Sequence, residues 1–530
     1  MKDKKIINWT PIIAVFIIIG ALCAFLLAYS GAADIITSAK NAVSNVFAPV
    51  YLWVGFGSLI FLGYICFSKY GKIKLGGDKP KYSLFSWMVM LFCAGTGTSV
   101  MFLAATEWID HYIAPPYGAE PMSDEAVTIA STLGMYHYSV IGWALYTVGA
   151  VALAYRFYIK KQPGLSLTAS CEEALGEKRV KGWLGKLIET IFAFGLIGGL
   201  SVTLVLGTPM ISSCLAAAVG IQDSFGLQAG IIVAIAAVFI LTSYVGLDGG
   251  LRKLCDGNGI IAIIFALVVL LIGPTLDIIK GFTNGLGYML QNFVQMSLYS
   301  DSLNNPGWTE NWTSFYWAWF LALGPWMWIF AVRVSRGRTI RAMIIGMIGC
   351  GSLGAFLYYG VFSNFGLYLQ INGITDLVSI YTNDGANALC IALLSELPFS
   401  KLLLIVWGVL ALMFLATTLD SATFTLAAAV TKGIKEGEEP KRWLRMFWSL
   451  ALVVVPLGFL AIKADLNALK TMAVLTAAPI SILTIISCVS AVKYLKKDFG
   501  SKTPAEIEQF NREQEEYERK ESEIAETDEL

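Results

Sequence analysis

Charge is scarce in this 530-residue chain: Asp, Glu, Lys and Arg make up only 14% of it, against roughly 25% in ordinary soluble domains. The formal net charge is zero, so no basic surface is on offer for nucleic acid, and no nucleic-acid partner is expected. Histidine is scarcer still, with only His111 and His137. No HExxH or GxSxG pattern occurs, which leaves neither a zinc-peptidase helix nor a nucleophile elbow. The nine cysteines form no CxxC pair and no metal-type spacing. Cys23, Cys66, Cys93, Cys214, Cys350 and Cys488 lie in apolar stretches and read as small packing residues. Nothing supplies a metal site or an activated nucleophile, so no enzyme is expected. The absence of a filter-like repeat argues against a channel.

What the chain has instead is apolar length: 56% of its residues are hydrophobic, more than one water-soluble core absorbs. A bilayer crossing takes ~20 mostly apolar residues. Runs of that kind fall near 11–29, 50–67, 85–105, 136–155, 191–219 and 229–245, and again near 259–274, 315–334, 342–362, 402–430, 447–462 and 472–492. The first follows Lys2, Lys4 and Lys5 but is longer than a signal-peptide core and lacks a small-x-small cleavage site before Ser30, so it is read as a helix.

Alternate connections are basic: Lys69 to Lys81, Arg156 to Lys186, Arg252 and Lys253, Arg333 to Arg341, and Lys432 to Arg445. Cytoplasmic loops carry such an excess. The expected chain is thus an all-α membrane protein of twelve transmembrane helices in the inner, cytoplasmic membrane, with both termini inside. It divides into a cytoplasmic N-terminus (1–10), a bundle (11–494) and an acidic tail (495–530). Residues 278–299 are apolar but interrupted by Lys280, Asn284, Gln291, Asn292 and Gln295, the pattern of an interfacial amphipathic helix. Glu513, Glu515, Glu516, Glu518, Glu521 and Glu523 crowd the tail, as in a solvated helix or disordered segment.

Transporters place substrate beside helices interrupted at corresponding positions of two repeats. Span three contains Ala94-Gly95-Thr96-Gly97-Thr98-Ser99, and span eight contains Gly324-Pro325. If two leading spans precede two five-span units, about 84–275 and 314–494, these breaks at Gly95, Gly97, Gly324 and Pro325 face one central cavity. Small residues that merely let helices pack closely are the alternative.

Aromatic side chains concentrate on two spans. Span eight reads Trp312-Thr313-Ser314-Phe315-Tyr316-Trp317-Ala318-Trp319-Phe320, with Trp326 and Trp328 beyond Pro325; span four holds Tyr136, His137, Tyr138, Trp143 and Tyr146. An aromatic belt at the interface explains some of these. A cage for a trimethylammonium group is the sharper reading, because that group donates no hydrogen bond and ring faces are its natural partners.

The Trp312 to Phe320 segment, followed by Gly324-Pro325 and by Arg333-Val334-Ser335-Arg336-Gly337-Arg338-Thr339-Ile340-Arg341, resembles the signature of the betaine/choline/carnitine transporter family. The spacing of His137-Tyr138, Trp143 and Tyr146 is similar to its second aromatic element, and Tyr112-Ile113-Ala114-Pro115-Pro116-Tyr117-Gly118 resembles its carnitine-exchanger branch. The resemblance runs through all twelve spans. It implies a sodium-symporter-like fold of two helices plus a five-plus-five inverted repeat, a homotrimer, and a small quaternary-ammonium substrate of the betaine, carnitine or γ-butyrobetaine type.

By motif position it implies a cage of Tyr138, Trp143, Tyr146, Trp319 and Phe320, with Trp326 and Met327 beside it. Tyr138 and Phe320 stand where the family usually has Trp. No cofactor is implied beyond a coupling sodium ion, placed between the break of span three and span ten, with Cys93, Thr96, Phe414, Thr417 and Thr418 around it. Sodium-independent exchangers carry an Arg where Asn258 stands here, which favours sodium-coupled uptake. Met327 matches a methionine that replaces a second sodium in the exchanger branch, which keeps precursor/product antiport open. Thr417 and Thr418 can equally bond back to their own helix carbonyls.

Overall fold

In the computed structural model the chain is described over residues 6–29, 31–77, 79–95, 97–300, 307–461 and 466–528. A short strand β1 (Ile6–Ile7) leads into α1 (Trp9–Ala28), α2 (Ala32–Phe67), α3 (Leu84–Gly95) and α4 (Gly97–Ile113). Next come α5 (Asp124–His137), α6 (Val140–Leu145), α7 (Val148–Ala154), α8 (Leu167–Leu175), α9 (Glu177–Lys181), α10 (Trp183–Val219), α11 (Phe225–Val245) and α12 (Arg252–Ile272). The second half holds α13 (Thr275–Leu298), α14 (Trp308–Asn311), α15 (Thr313–Val334), α16 (Ile340–Ile371), α17 (Leu377–Ser395) and α18 (Ser400–Ala429). Strand β2 (Thr431–Lys432), α19 (Arg442–Ala461), α20 (Leu466–Phe499) and α21 (Pro504–Asp528) complete it.

Among the described residues, eleven helical segments are long and apolar enough to cross a bilayer, or twelve when the bent pair α3 and α4 counts as one. Burial separates inner from outer helices. In the most apolar stretch of Asp124–Ile159 and of Trp308–Val334, 94% of residues are buried, against 22% in Trp9–Ala28. α12 shows the outer pattern, with Ile260, Ile261, Ile263, Ile264, Leu267 and Leu271 exposed on one flank, a surface suited to lipid rather than water. The helix starts have physical causes too. Ser123, Ser224 and Thr339 accept from the backbone N–H of Ala126, Leu227 and Ala342, and each thereby satisfies one otherwise free donor.

Three expectations change. α17 lies in a region read as a connection, and Gly385, at φ 84° and ψ −178°, bends it into halves 377–384 and 386–395. Each half is at most about 15 Å long at 1.5 Å per residue, half of a bilayer core, so α17 folds as a bent cap. α19, 20 residues long, has the length of a span, and counting it in place of α17 keeps twelve. Second, span eight is not broken: α15 runs continuously through Gly324 and Pro325. Third, the second interrupted span is span four, where the chain leaves the helix at Tyr138-Ser139 and again at Tyr146-Thr147.

The basic connections gather at one end of the bundle. Leu75 N–H donates to Arg338 O and Ile340 N–H to Ile73 O, each at 2.9 Å, while β1 pairs antiparallel with β2. The acidic tail is helical and docked there: Lys72 pairs with Glu508 at 2.7 Å, Lys74 with Glu515, and Arg336 with Glu518 at 3.3 Å. Strand β1 and the tail helix α21 therefore lie on the side of the basic connections.

Candidate functional site

The break in span three begins with close packing. A Cβ on Gly95 would lie 3.0 Å from Trp143 Cη2 and 3.3 Å from Met327 Cε, and one on Gly97 only 2.2 Å from Phe414 Cδ1. Any larger residue at these positions displaces an aromatic ring. α3 and α4 meet at 64°, so the carbonyls of the last turn of α3 lose their helical N–H partners. Two side chains reach them: Thr418 Oγ1 donates to Cys93 O at 2.9 Å, and the Tyr146 hydroxyl to Gly95 O at 3.5 Å.

Beside that break lies a narrow cavity of about 20 Å³. Tyr138 and Tyr146, from the two interruptions of span four, and Trp319, Phe320 and Trp326 from α15 face it. Phe320 holds the cage together, its ring centre 4.6 Å from Tyr146 and 5.6 Å from Tyr138. Thr98, Ser99 and Thr418 add hydroxyls, and no charged side chain among the described residues lines the space. The indole N–H groups of Trp319 and Trp326 are buried with no hydrogen-bond partner among the described residues.

One expected cage residue, Trp143, and one expected beside the cage, Met327, stand elsewhere. Trp143 does not line the cavity. It packs edge-on to Tyr146 at 5.7 Å and is seated on α16, where a Cβ on Gly351 would fall 1.8 Å from its Cε2. The space that Gly351 leaves open on α16 takes the Trp143 ring, which supports Tyr146 from behind. Met327 is likewise behind the lining, against Gly95.

Pro325 lacks the N–H that a straight helix uses, yet α15 runs on through it. Trp328 Nε1 donates to Leu145 O at 2.8 Å, and that carbonyl lies 3.3 Å from the site of a Cβ on Gly324. The freed carbonyl at the end of α6 is thus satisfied from α15, and the two elements brace one another.

Of the residues implied for sodium, Thr96 lies outside the described residues. Thr418 reaches across to Cys93 O, whereas Thr417 Oγ1 donates to Phe414 O of its own helix at 2.9 Å. The Thr418 hydroxyl and the Cys93 carbonyl thus face each other across the helix break, joined by a hydrogen bond. Thr417 fits the role of a helix-internal hydroxyl. Asn258 is buried, with its amide Nδ2 unpartnered among the described residues.

Sequence reasoning missed a second cluster. Glu107, His111 and His137 meet in the interior, all fully buried. The signal was present: Glu107 and His111 are four apart on one helix, and an ionisable residue inside a membrane span is by default a functional hypothesis.

Comparison with known proteins follows the same lines. The profile of the BCCT, betaine/carnitine/choline family transporters, matches residues 9–500. An uncharacterised transporter of Escherichia coli K12, YeaV, is 34% identical over 447 residues, 84% of this chain and 93% of its own length. A carnitine transporter of Acinetobacter baumannii is 34% identical over 464 residues, 88% of this chain and 84% of its own. The glycine betaine transporter OpuD of Bacillus subtilis is 32% identical over 466 residues, 87% and 89% respectively. A solved Na+-coupled sialic acid symporter, in a substrate-bound outward-open state, aligns at 12% identity and a TM-score of 0.48, covering 87% of this chain and 95% of its own.

Proposed function

We propose, from the premise that this chain belongs to the betaine/carnitine/choline family of transporters, that it carries a small zwitterion with a quaternary ammonium head across the cytoplasmic membrane. One observation carries the reading: a cavity faced by five aromatic rings and, among the described residues, no ionised side chain. A trimethylammonium group binds to ring faces, with ~2 kcal/mol or more per contact when desolvated. A carboxylate on the same molecule cancels the charge that an uncharged cavity would otherwise have to bury, which costs heavily without a partner. The free indole N–H groups of Trp319 and Trp326 are donors for that carboxylate. The relatives that transport carnitine and glycine betaine support the same substrate class.

Counterflow in proteoliposomes, with glycine betaine, carnitine, γ-butyrobetaine and choline each preloaded, tests this. Exchange of the three zwitterions ahead of choline is expected, and preference for choline, or no exchange of any, would overturn it. For coupling, the pairing of Thr418 with Cys93 favours one sodium ion at the break of span three. When bound, that ion supplies a positive charge that holds α3 to α18. Uptake then needs inward sodium and fails in Thr418→Ala but not in Thr417→Ala. Undiminished exchange in potassium alone would mean an antiporter.

A further inference from the structure

Glu107 Oε1 accepts from His111 Nε2 at 3.2 Å and from His137 Nδ1 at 2.9 Å. Its other oxygen accepts from the hydroxyls of Tyr316 at 2.8 Å and Tyr359 at 2.9 Å. Four donors on one carboxylate fit the ionised form. His137 is committed on both nitrogens, since Nε2 lies 3.1 Å from Thr313 Oγ1. His111 is not: Nδ1 is buried with no hydrogen-bond partner among the described residues. With each neutral ring donating one N–H to Glu107, the cluster carries one negative charge and one bare basic nitrogen.

The other charges nearby offset each other. Asp110 on α4 accepts from Tyr381 of α17 at 2.8 Å and feels the ammonium of Lys470 from α20. From the break that follows α5 the cluster faces Tyr138, from α15 Tyr316, from α16 Tyr359, and from α14 Trp308. His111 also packs edge-on to Trp312 with ring centres 4.5 Å apart, a ready partner for an imidazolium.

We propose that Glu107, His111 and His137 form a proton-binding site that competes with substrate. One proton adds to His111 Nδ1 and discharges the cluster. An onium head in the cage sits behind Tyr138, whose ring is 5.4 Å from Tyr316 and 5.7 Å from Tyr359, the two hydroxyls on Glu107. Head group and proton therefore draw on one buried negative charge, and binding the first expels the second to solution. The competition rests on the substrate class proposed above; the proton site does not. By linkage, substrate must weaken proton affinity by the same factor by which a proton weakens substrate affinity.

Two histidines in the whole chain make the test direct. The full-length protein, carrying a tag without histidine, is labelled with 15N-histidine, and the ring nitrogens are followed by NMR from pH 8 to pH 5. One ring is expected to gain a second proton, with its midpoint moved to lower pH by saturating glycine betaine or carnitine. Affinity, read from tryptophan fluorescence, is expected to fall on the order of ten-fold over the same range in wild type and to stay constant in His111→Gln, which keeps an N–H for Glu107 but cannot titrate. Rings that both stay neutral throughout, or a midpoint that ligand raises, would overturn the proposal. Titration that persists when no onium compound binds supports the proton site and counts against the substrate reading alone.

Discussion

The cage is where single residues decide. Trp319 and Trp143 have the same chemistry and were expected to do the same work, yet only Trp319 faces the cavity. Trp319→Ala should remove a cation-π partner and weaken binding by on the order of 1 to 2 kcal/mol, roughly ten-fold in Kd; isothermal titration with glycine betaine or carnitine checks this. Trp143→Ala should act differently, because it empties a packed slot against Gly351. Large-to-small changes of this kind cost ~3 kcal/mol or more, so a lowered Tm with less than half of the Trp319→Ala affinity loss is expected. Equal affinity losses would place Trp143 back in the cage. Tyr138, Tyr146, Trp319 and Phe320 were legible because aromatic density and motif spacing mark them in one dimension. The displacement of Trp143 was not, since it depends on the space that Gly351 leaves open on a helix distant in sequence.

At the scale of elements, two glycine-rich or proline-containing stretches looked alike in sequence and behave unlike in three dimensions. Gly95 and Gly97 are needed because rings from α6 and α18 occupy the space of their missing side chains. Gly97→Ala should therefore push Phe414 away and disrupt both folding yield and transport, whereas Pro325→Ala restores a backbone donor inside an intact helix and should leave binding within about two-fold. A Pro325→Ala protein without activity would show that strain at Pro325 is functional. Membrane helices tolerate proline, and here Trp328 of α15 also ties the helix to Leu145 of α6, a brace that sequence alone does not reveal. The bent cap α17 was hidden for a related reason. Its polar start at Asp376 and the polar Asn383 and Asp384 before Gly385 read as loop, while the tertiary surface beneath makes them helix.

Over the whole molecule, the placement of charge was readable in its pattern but not in its contacts. The alternating basic connections do gather at one end, which agrees with their being on one side of the membrane; cysteine labelling that found Arg338 accessible only from outside would reverse the proposed cytoplasmic orientation. The acidic tail, read as a solubilising segment, instead makes a specific dock. Ile507 is buried, Phe510 packs edge-on to Phe499 at 5.0 Å, and Asn511 closes a two-bond clamp on the backbone, donating to Lys72 O at 2.9 Å and accepting from Lys74 N–H at 3.0 Å. The ion pairs lie outside this anchor and are screened by salt, whose Debye length is ~3 Å at 1 M. Lys72 holds the exposed Glu508 carboxyl below its usual range. A depressed carboxyl contributes above its unfolded value and loses that contribution as pH falls through its folded one, so this pair helps at neutral pH and fails only in acid. Limited trypsin digestion separates anchor from rim, because Arg512, Arg519 and Lys520 offer cleavage sites along the tail helix. If the clamp and apolar contacts dominate, 0.5 M salt should raise the cleavage rate only modestly at pH 7, while Asn511→Ala combined with Ile507→Asp should expose the tail at any salt. Cleavage that salt alone brings to the level of the double variant would make the dock an electrostatic one.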